Sequence, residues 1–403
     1  MSLASPFASV PQGPPDPILG LNEAFQSDPN PNKVNLAVGV YKDEEGRVPL
    51  LKCVRAAEQR WLSQEDTKTY LPIDGIPSFL QRTQSLVLGE GSKAVAEKRA
   101  VTVQAPGGTG ALRVGADFLR RFFPNAEVWI SSPSWENHQA LFEAAGFKVN
   151  TYPYFDPARH GLDFQGMMAA LRAIPAGSIV VFHACCHNPT GVDPTPDEWR
   201  RIVSACADGG LIPFIDFAYQ GFGEGLEEDA GAVRAFADAG IPCLIASSYS
   251  KCFSIYRERV GALTVLTASA EEAGRVLSQL KRVIRTNFSN AISHGAQVVS
   301  LILGDEVLRA EWEQEVAAMR GRIQRMRTLF WDTLKEMGVD RDFSFITRQK
   351  GMFSFTGLSV DEVRRLRREF SIYIVESGRI CVAAMNEGNM GYICSAITAT
   401  VKG

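Results

Sequence analysis

The sequence predicts an α/β protein: a large domain on a mostly parallel sheet, joined to a smaller α+β domain. Three observations predict it. Between about residue 100 and 290, apolar runs of strand length alternate with amphipathic stretches of helical period, the pattern of βαβ units whose sheet is covered on both faces. Residues 305–338 form one unbroken helical pattern, after which short strands and helices resume. At 403 residues the chain also exceeds what one hydrophobic core usually serves.

Taken in order, the opening MSLASPFASVPQGPPDP is rich in Pro and Ser and reads as an extended arm. It has no basic residue before Lys33 and no apolar core of signal-peptide length, so neither a secretory nor a transit peptide is expected. Apolar runs at 100–104, 127–131, 178–184, 212–216, 244–248 and 262–266 read as buried strands, all too short to cross a bilayer. Helices are expected between them at 110–123, 197–207 and 232–239. Ligands of such sheets bind at the carboxyl ends of the strands. Within 305–338, Trp312, Val316, Met319, Ile323, Met326, Phe330, Leu334 and Met337 recur at spacings of three and four. They form one apolar stripe on a helix connecting the domains, with the methionines in the core and Gly338 as a stop. Strands at 343–346, 351–356, 372–375 and 379–383, and helices near 360–370 and 389–401, complete the smaller domain.

Composition narrows the class of function. Hydrophobic residues make up 45% and charged residues 22%, the balance of a soluble globular enzyme. A net charge of −3 favours neither nucleic acid nor an anionic membrane, so neither partner is expected. Eight cysteines lie scattered without CxxC spacing, which fits reduced thiols and a cytoplasmic location. The run His183-Ala184-Cys185-Cys186-His187 resembles a metal motif. Adjacent cysteines offer tetrahedral geometry poorly, and no second ligand pair follows at zinc spacing, so no metal is expected and the thiols read as small buried side chains.

The polar motifs fall where the predicted strands end. Ser248-Tyr-Ser250-Lys251 follows the 244–248 strand. An imine-forming lysine must be partly desolvated or placed beside other cations, so that its pKa falls and the amine is free; a solvated surface lysine is the ordinary alternative. Ser248, Ser250 and the Arg259 fork suit a phosphate dianion. Gly107-Gly108-Thr109-Gly110 opens a helix, where glycines admit a phosphate to the helix N-terminus; a tight turn is the bland reading. A dinucleotide fingerprint would need Gly where Arg113 stands, so one phosphate fits better than two. Asp216 ends the 212–216 strand and could cap a helix, or hold a pyridine nitrogen protonated, with Tyr219 donating to the ring's phenolic oxygen. Asn188-Pro-Thr-Gly is turn chemistry by composition; in a cleft Asn188 adds a neutral donor, whose direction a cis Asn188–Pro189 bond would fix.

Together these pieces resemble the fold-type I, class I pyridoxal-phosphate aminotransferases, in the subgroup of aspartate and bacterial aromatic enzymes. The similarity runs nearly end to end: DPILGLNEAF, VNLAVGVYKDEEG, YLPIDGIPSF, QAPGGTGALRVGADFL, SSPSWENH, HACCHNPTGVDPTPDEW, DFAYQGFGEGLEEDA, SYSK, ERVGALTV, GMFSFTGL and SGRICVAA, in the family's order. The resemblance implies a fold-type I transferase with an arm at 1–16, a small domain of 17–48 plus 319–403, and a cofactor-binding large domain at 49–318. It implies pyridoxal 5'-phosphate on Lys251 as a Schiff base, with Lys251 moving the proton at the substrate α-carbon. Asp216 would pair with the pyridine nitrogen, Tyr219 and Asn188 with the ring oxygen, and Trp135 would stack on the ring. Gly108, Thr109, Ser248, Ser250 and Arg259 would hold the phosphate. Arg379 would clamp the α-carboxylate, assisted by Asn188 and the backbone of Gly39. In a homodimer with shared sites, Tyr70 and Ser289 would reach the partner's phosphate and Arg285 the distal carboxylate of a dicarboxylic substrate.

The implied activity is amino transfer from aspartate, and from aromatic amino acids, to 2-oxoglutarate by alternating half-reactions. After SYSK, aspartate enzymes read Asn-Phe-Gly-Leu-Tyr-Asn, where this chain has Cys252, Ser254 and Arg257; Ala291-Ile292 replaces a Pro-Pro, and Cys381 an Asn. The strings SKxFSxY and GRxCVAxxN resemble the aromatic enzymes, whereas Val40, Lys42, Thr109 and Asn290 are aspartate-like. A predominantly aromatic enzyme is therefore the nearest alternative. A decarboxylase on the same scaffold is disfavoured by Arg379 with Arg285, since a clamped α-carboxylate is not free to leave. An inactive binding relative would be expected to lack Lys251 or Asp216.

Overall fold

The computed structural model describes residues 5–13 and 18–402. Residues 1–4 and 14–16 of the expected arm, and residue 17 at the start of the expected small domain, lie outside the described residues; residues 5–13 are exposed throughout. Seven strands form the central sheet: β1 (Ala100–Pro106), β2 (Val128–Ser132), β3 (Val149–Pro153), β4 (Ile179–His183), β5 (Ile212–Phe217), β6 (Cys243–Ser248) and β7 (Val260–Leu266). Their spatial order is β1-β7-β6-β5-β4-β2-β3. Strands β2 to β6 pair in parallel, while β7 runs antiparallel to both neighbours, β1 and β6. Strands β4, β6 and β7 are buried along their whole length, which is why they read as continuous apolar runs. The edge strand β3, Val-Asn-Thr-Tyr-Pro, mixes apolar and polar residues and has one buried position, so no comparable run announced it.

Helix α1 (Gly107–Phe122) follows β1 without a loop and lays its apolar face on the sheet. Helix α2 (Glu306–Glu336) is the long connector. The Asp305 carboxylate caps it by accepting from the N–H groups of Val307 and Leu308, and Gly338 beyond its end has a φ of 66°. Its stripe from Trp312 to Leu334 is buried as expected, with Met319 and Met326 in the core.

Beyond α2 the backbone departs from the expected strands in two places. Residues 344–348 form a 3-10 helix (Ser344–Arg348), not a strand, because the Asp342 carboxylate accepts from Ser344 N at 2.7 Å and turns the chain. The 379–383 run splits into a strand, Arg379–Cys381, and a 3-10 helix, Val382–Ala384. Arg379–Cys381 pairs antiparallel with Phe353–Phe355, and Val34–Asn35 pairs in parallel with Ile372–Tyr373. The sequence-distant ends of the chain thus share one small unit. Among the described residues, no helix is long and apolar enough to cross a membrane.

Candidate active site

Five strand ends converge on one cavity of about 230 Å³. Parallel strands deliver their carboxyl ends to the same edge, so β1 leads into Gly108 and Thr109, β2 toward Trp135, β4 toward Asn188, β5 into Asp216 and Tyr219, and β6 into Ser248, Ser250 and Lys251. The antiparallel β7 brings its amino end to that edge, which is how Arg259, immediately before it, joins the same cavity. Gly39 arrives from the small unit and also lines it.

The rim on the α1 side is built to hold an anion. The backbone of Gly107 has a φ of 73°, and a Cβ there would collide with the Arg259 guanidinium. A Cβ on Gly108 would lie 3.0 Å from the Ser248 Cβ. Glycine alone therefore lets the helix N-terminus, Arg259 and Ser248 crowd one point, and the orphan N–H groups of α1 add their own positive potential.

At the floor, Lys251 lies in the turn after β6 with its Nζ 4.8 Å from the centre of the Tyr219 ring. Desolvation, with Arg259 nearby, lowers its pKa against the opposing pull of Asp216. The turn is fixed from behind: Trp312 on α2 donates its Nε1–H to Cys252 O at 2.8 Å and stacks on Phe253 at 4.5 Å. Burial alone would raise the Asp216 carboxyl, yet the bond from His138 and nearby His183 and Lys251 bring it below the usual range. His138 Nε2 donates to Asp216 Oδ2 at 2.9 Å; in the neutral imidazole Nδ1 then accepts from Ser134 Oγ at 3.0 Å. Tyr219 is buried and its pKa is raised, so it stays a neutral phenol donor.

Behind Asn188 and Gly39 on the lining sits a second cation, Arg379, which does not itself line the cavity. Arg379 is 1% exposed; Nη1 donates to Asn188 Oδ1 at 3.2 Å and Nη2 to Ala37 O at 2.8 Å, with the guanidinium 4.5 Å from the centre of the Phe353 ring. Its Nε is buried without a partner among the described residues. A Cβ at Gly39 would stand 2.6 Å from Phe353 Cζ, so only glycine admits the backbone this close. The Asn188–Pro189 bond is cis.

Tyr70, Arg285 and Ser289 do not line this cavity. Tyr70 is 88% exposed, Arg285 lies on the exposed side of the Ala270–Asn287 helix, and its Nη1 donates to Ser289 Oγ. Asn290 Nδ2 donates to Leu71 O at 3.0 Å, tying these three into one surface patch.

Residues 31–397 match the family described as Aminotransferase class I and II. The chain belongs to this family. It is 55% identical to the aspartate aminotransferase of Pseudomonas aeruginosa, covering 97% of this chain and 98% of that protein. It is 48% identical to the aromatic-amino-acid aminotransferase of Escherichia coli, covering 96% and 98% respectively. Among solved structures, the aromatic-amino-acid aminotransferase from Burkholderia pseudomallei, covalently bound to pyridoxal phosphate, superposes with a TM-score of 0.97 at 54% identity, covering 98% of this chain and all of that one. The fold of this aminotransferase is accordingly the fold-type I architecture expected from the sequence.

Several residues at the aminotransferase cavity went unassigned in the sequence, among them Leu112, His183 and Tyr256 on its lining and His138 behind Asp216. His138 sits three residues after Trp135 in SWENH, and its bond to Asp216 spans 78 positions, so no local pattern exposes it. His183, next to Asp216 in the β4–β5 register, was weighed only as part of a metal motif; its Nε2 faces the cavity region without a partner among the described residues. Tyr256 lines the cavity and accepts from Tyr41 N at 2.9 Å, and Leu112 of α1 completes the wall.

Proposed function

We propose that this aminotransferase carries pyridoxal 5'-phosphate on Lys251 and moves the amino group of aspartate, and of aromatic amino acids, to 2-oxoglutarate. One observation carries the reading: a single cavity joins a lysine, a buried carboxylate and the Arg259–Ser248 cradle, with Arg379 bonded to Asn188 on its lining. These match the phosphate, the pyridine nitrogen and the substrate carboxylate, and the unpartnered Arg379 Nε supports that fit. When bound, pyridoxal phosphate supplies an aldehyde for the amine and a protonated ring that draws electrons from the substrate α-carbon.

The chain's own groups do the rest. Lys251, whose lowered pKa frees its amine at a lower pH than a surface lysine's, moves the proton at the α-carbon. Asp216 stays ionised and holds the ring nitrogen protonated. Tyr219 and Asn188 donate to the ring oxygen, and Trp135 covers the ring face. Gly108, Thr109, Ser248, Ser250 and Arg259 hold the phosphate. Arg379, with Asn188 and the Gly39 backbone, orients the α-carboxylate by bidentate pairing.

The homodimer is part of this reading. Tyr70, Arg285 and Ser289 form a patch away from their own cavity, and a tyrosine 88% exposed there is suited to burial against a partner's site. We divide the chain into an arm (1–16), a small domain (17–48 plus 319–403) and a large domain (49–318); the pairing of Val34–Asn35 with Ile372–Tyr373 supports the division. All eight cysteines are unpaired thiols, which supports a reducing, cytoplasmic setting.

The deciding experiment is the visible spectrum of the purified protein. A cofactor band that changes on adding aspartate, and separately phenylalanine, and is restored by 2-oxoglutarate is expected. No band, or a band indifferent to both amino acids, overturns the reading; a response to phenylalanine alone favours the predominantly aromatic enzyme, to which Ser254 and Cys381 also point.

A further inference from the structure

We propose that Cys185, Cys186 and Asp229 form a binding site for a soft divalent cation of the Zn²⁺ or Cd²⁺ class, at the floor of a second cleft separate from the reaction cavity. The two sulfurs and a carboxylate oxygen lie within 4.8 Å of one another. Adjacent side chains on an extended strand point to opposite faces, so neighbouring cysteines ordinarily diverge. Cys186 departs from this with a φ of 53°, and its sulfur lies within 4.8 Å of that of Cys185.

The ligands are held in place by their surroundings. Cys186 N donates to Asp193 Oδ2 at 2.7 Å, and Gly351 packs so closely that a Cβ there would lie 2.9 Å from Cys186 Sγ. Asp229 accepts from the N–H groups of Gly221 and Gly223 at Oδ2 and of Glu224 at Oδ1, at 2.8 to 2.9 Å. Oδ1 takes one of these bonds and keeps a lone pair for a cation. A preformed two-sulfur, one-oxygen set selects soft cations over Mg²⁺ or Ca²⁺, and a water from the cleft would complete four-coordination.

Access and charge also fit. Cys185 and Asp229 line a cleft of about 790 Å³, with Asp193, Glu224, Trp199 and Lys350 among its other walls. Carboxylates outnumber cations along it, and Lys350 is already paired with Glu224 at 2.7 Å. Thiols ligate as thiolates, so binding displaces one proton from each to solvent. Two thiolates and a carboxylate on a divalent ion leave one net negative charge. The buried Arg327, which feels the field of Cys186 and Asp193, offsets it.

The test is titration of the cofactor-loaded protein with cadmium chloride, reading the ultraviolet thiolate-to-metal charge-transfer band. One equivalent per subunit is expected, with release of protons in weak buffer. Cys185→Ser and Cys186→Ser should each abolish the band, Asp229→Asn should weaken binding roughly tenfold or more, and Cys206→Ser, a buried control elsewhere, should leave it unchanged. Cys186 packs under Gly351, so should its variant fail to fold, Cys185→Ser, facing the cleft, carries the assignment. A wild-type protein with no band at stoichiometric cadmium, or a band surviving in folded Cys185→Ser, overturns the proposal.

Discussion

Lys251, Asp216 and Arg379 show how environment sets the chemistry of single residues. Desolvation and Arg259 lower the Lys251 pKa, so its amine is free at a lower pH than that of a surface lysine. Borohydride reduction of the coloured protein followed by peptide mapping should place the label on Lys251; a label on another lysine would remove it from the reaction. Arg379→Ala should lower kcat/KM for every amino acid at least a hundredfold, since losing one partner of a desolvated charge pair costs roughly 3–5 kcal/mol. A variant within a few-fold of wild type would exclude the clamp. His138 donates to Asp216 and lowers its pKa against the opposing effect of burial. That stabilising contribution is present above the ordinary aspartate pKa and fades as pH falls through the lowered value. His138→Phe removes the donor, so the Asp216 pKa rises and the acidic limb of the kcat/KM profile should move to higher pH. An unmoved limb would mean that another group sets it. Residues whose place in the cavity follows from a strand end and a local motif, such as Lys251 and Asn188, were legible in the sequence. His138 was not, because its meaning lies in a partner 78 positions away.

At the scale of elements, the legible features were those with strong periodicity. The six buried strands and the α2 stripe stood out because each hides a whole face from water. What escaped was decided by contacts that periodicity does not encode: the edge strand β3, and the 3-10 turn at 344–348 set by one aspartate. Helix α2 also does more than connect. Trp312 is fully buried, stacks on Phe253 and holds Cys252 O, next to Lys251. Trp312→Ala should cost roughly 3–5 kcal/mol, read as a lower melting temperature. It should also loosen the lysine turn, read as faster loss of cofactor on dialysis. Lower stability with unchanged cofactor retention would confine α2 to packing.

Taken whole, the molecule presents one cavity and, elsewhere, a surface patch of Tyr70, Arg285 and Ser289 that does not line it. Mixing Lys251→Ala with Arg285→Ala protein under subunit exchange should recover part of the aspartate activity, because one hybrid site then holds both native residues. Verified exchange without recovery would count against shared sites. The antiparallel β7 has a further bearing on how the chain comes into being. In the sheet β1 pairs with β7 alone, and β7 is the last of the seven strands in the sequence. While the polypeptide leaves the ribosome, β1 and the glycines after it must therefore wait, with an open hydrogen-bonding edge, until residue 266 has emerged. The nascent chain cannot assemble this rim of the cavity piecemeal: Gly108 and Arg259 come together only when that final strand slots between β1 and β6.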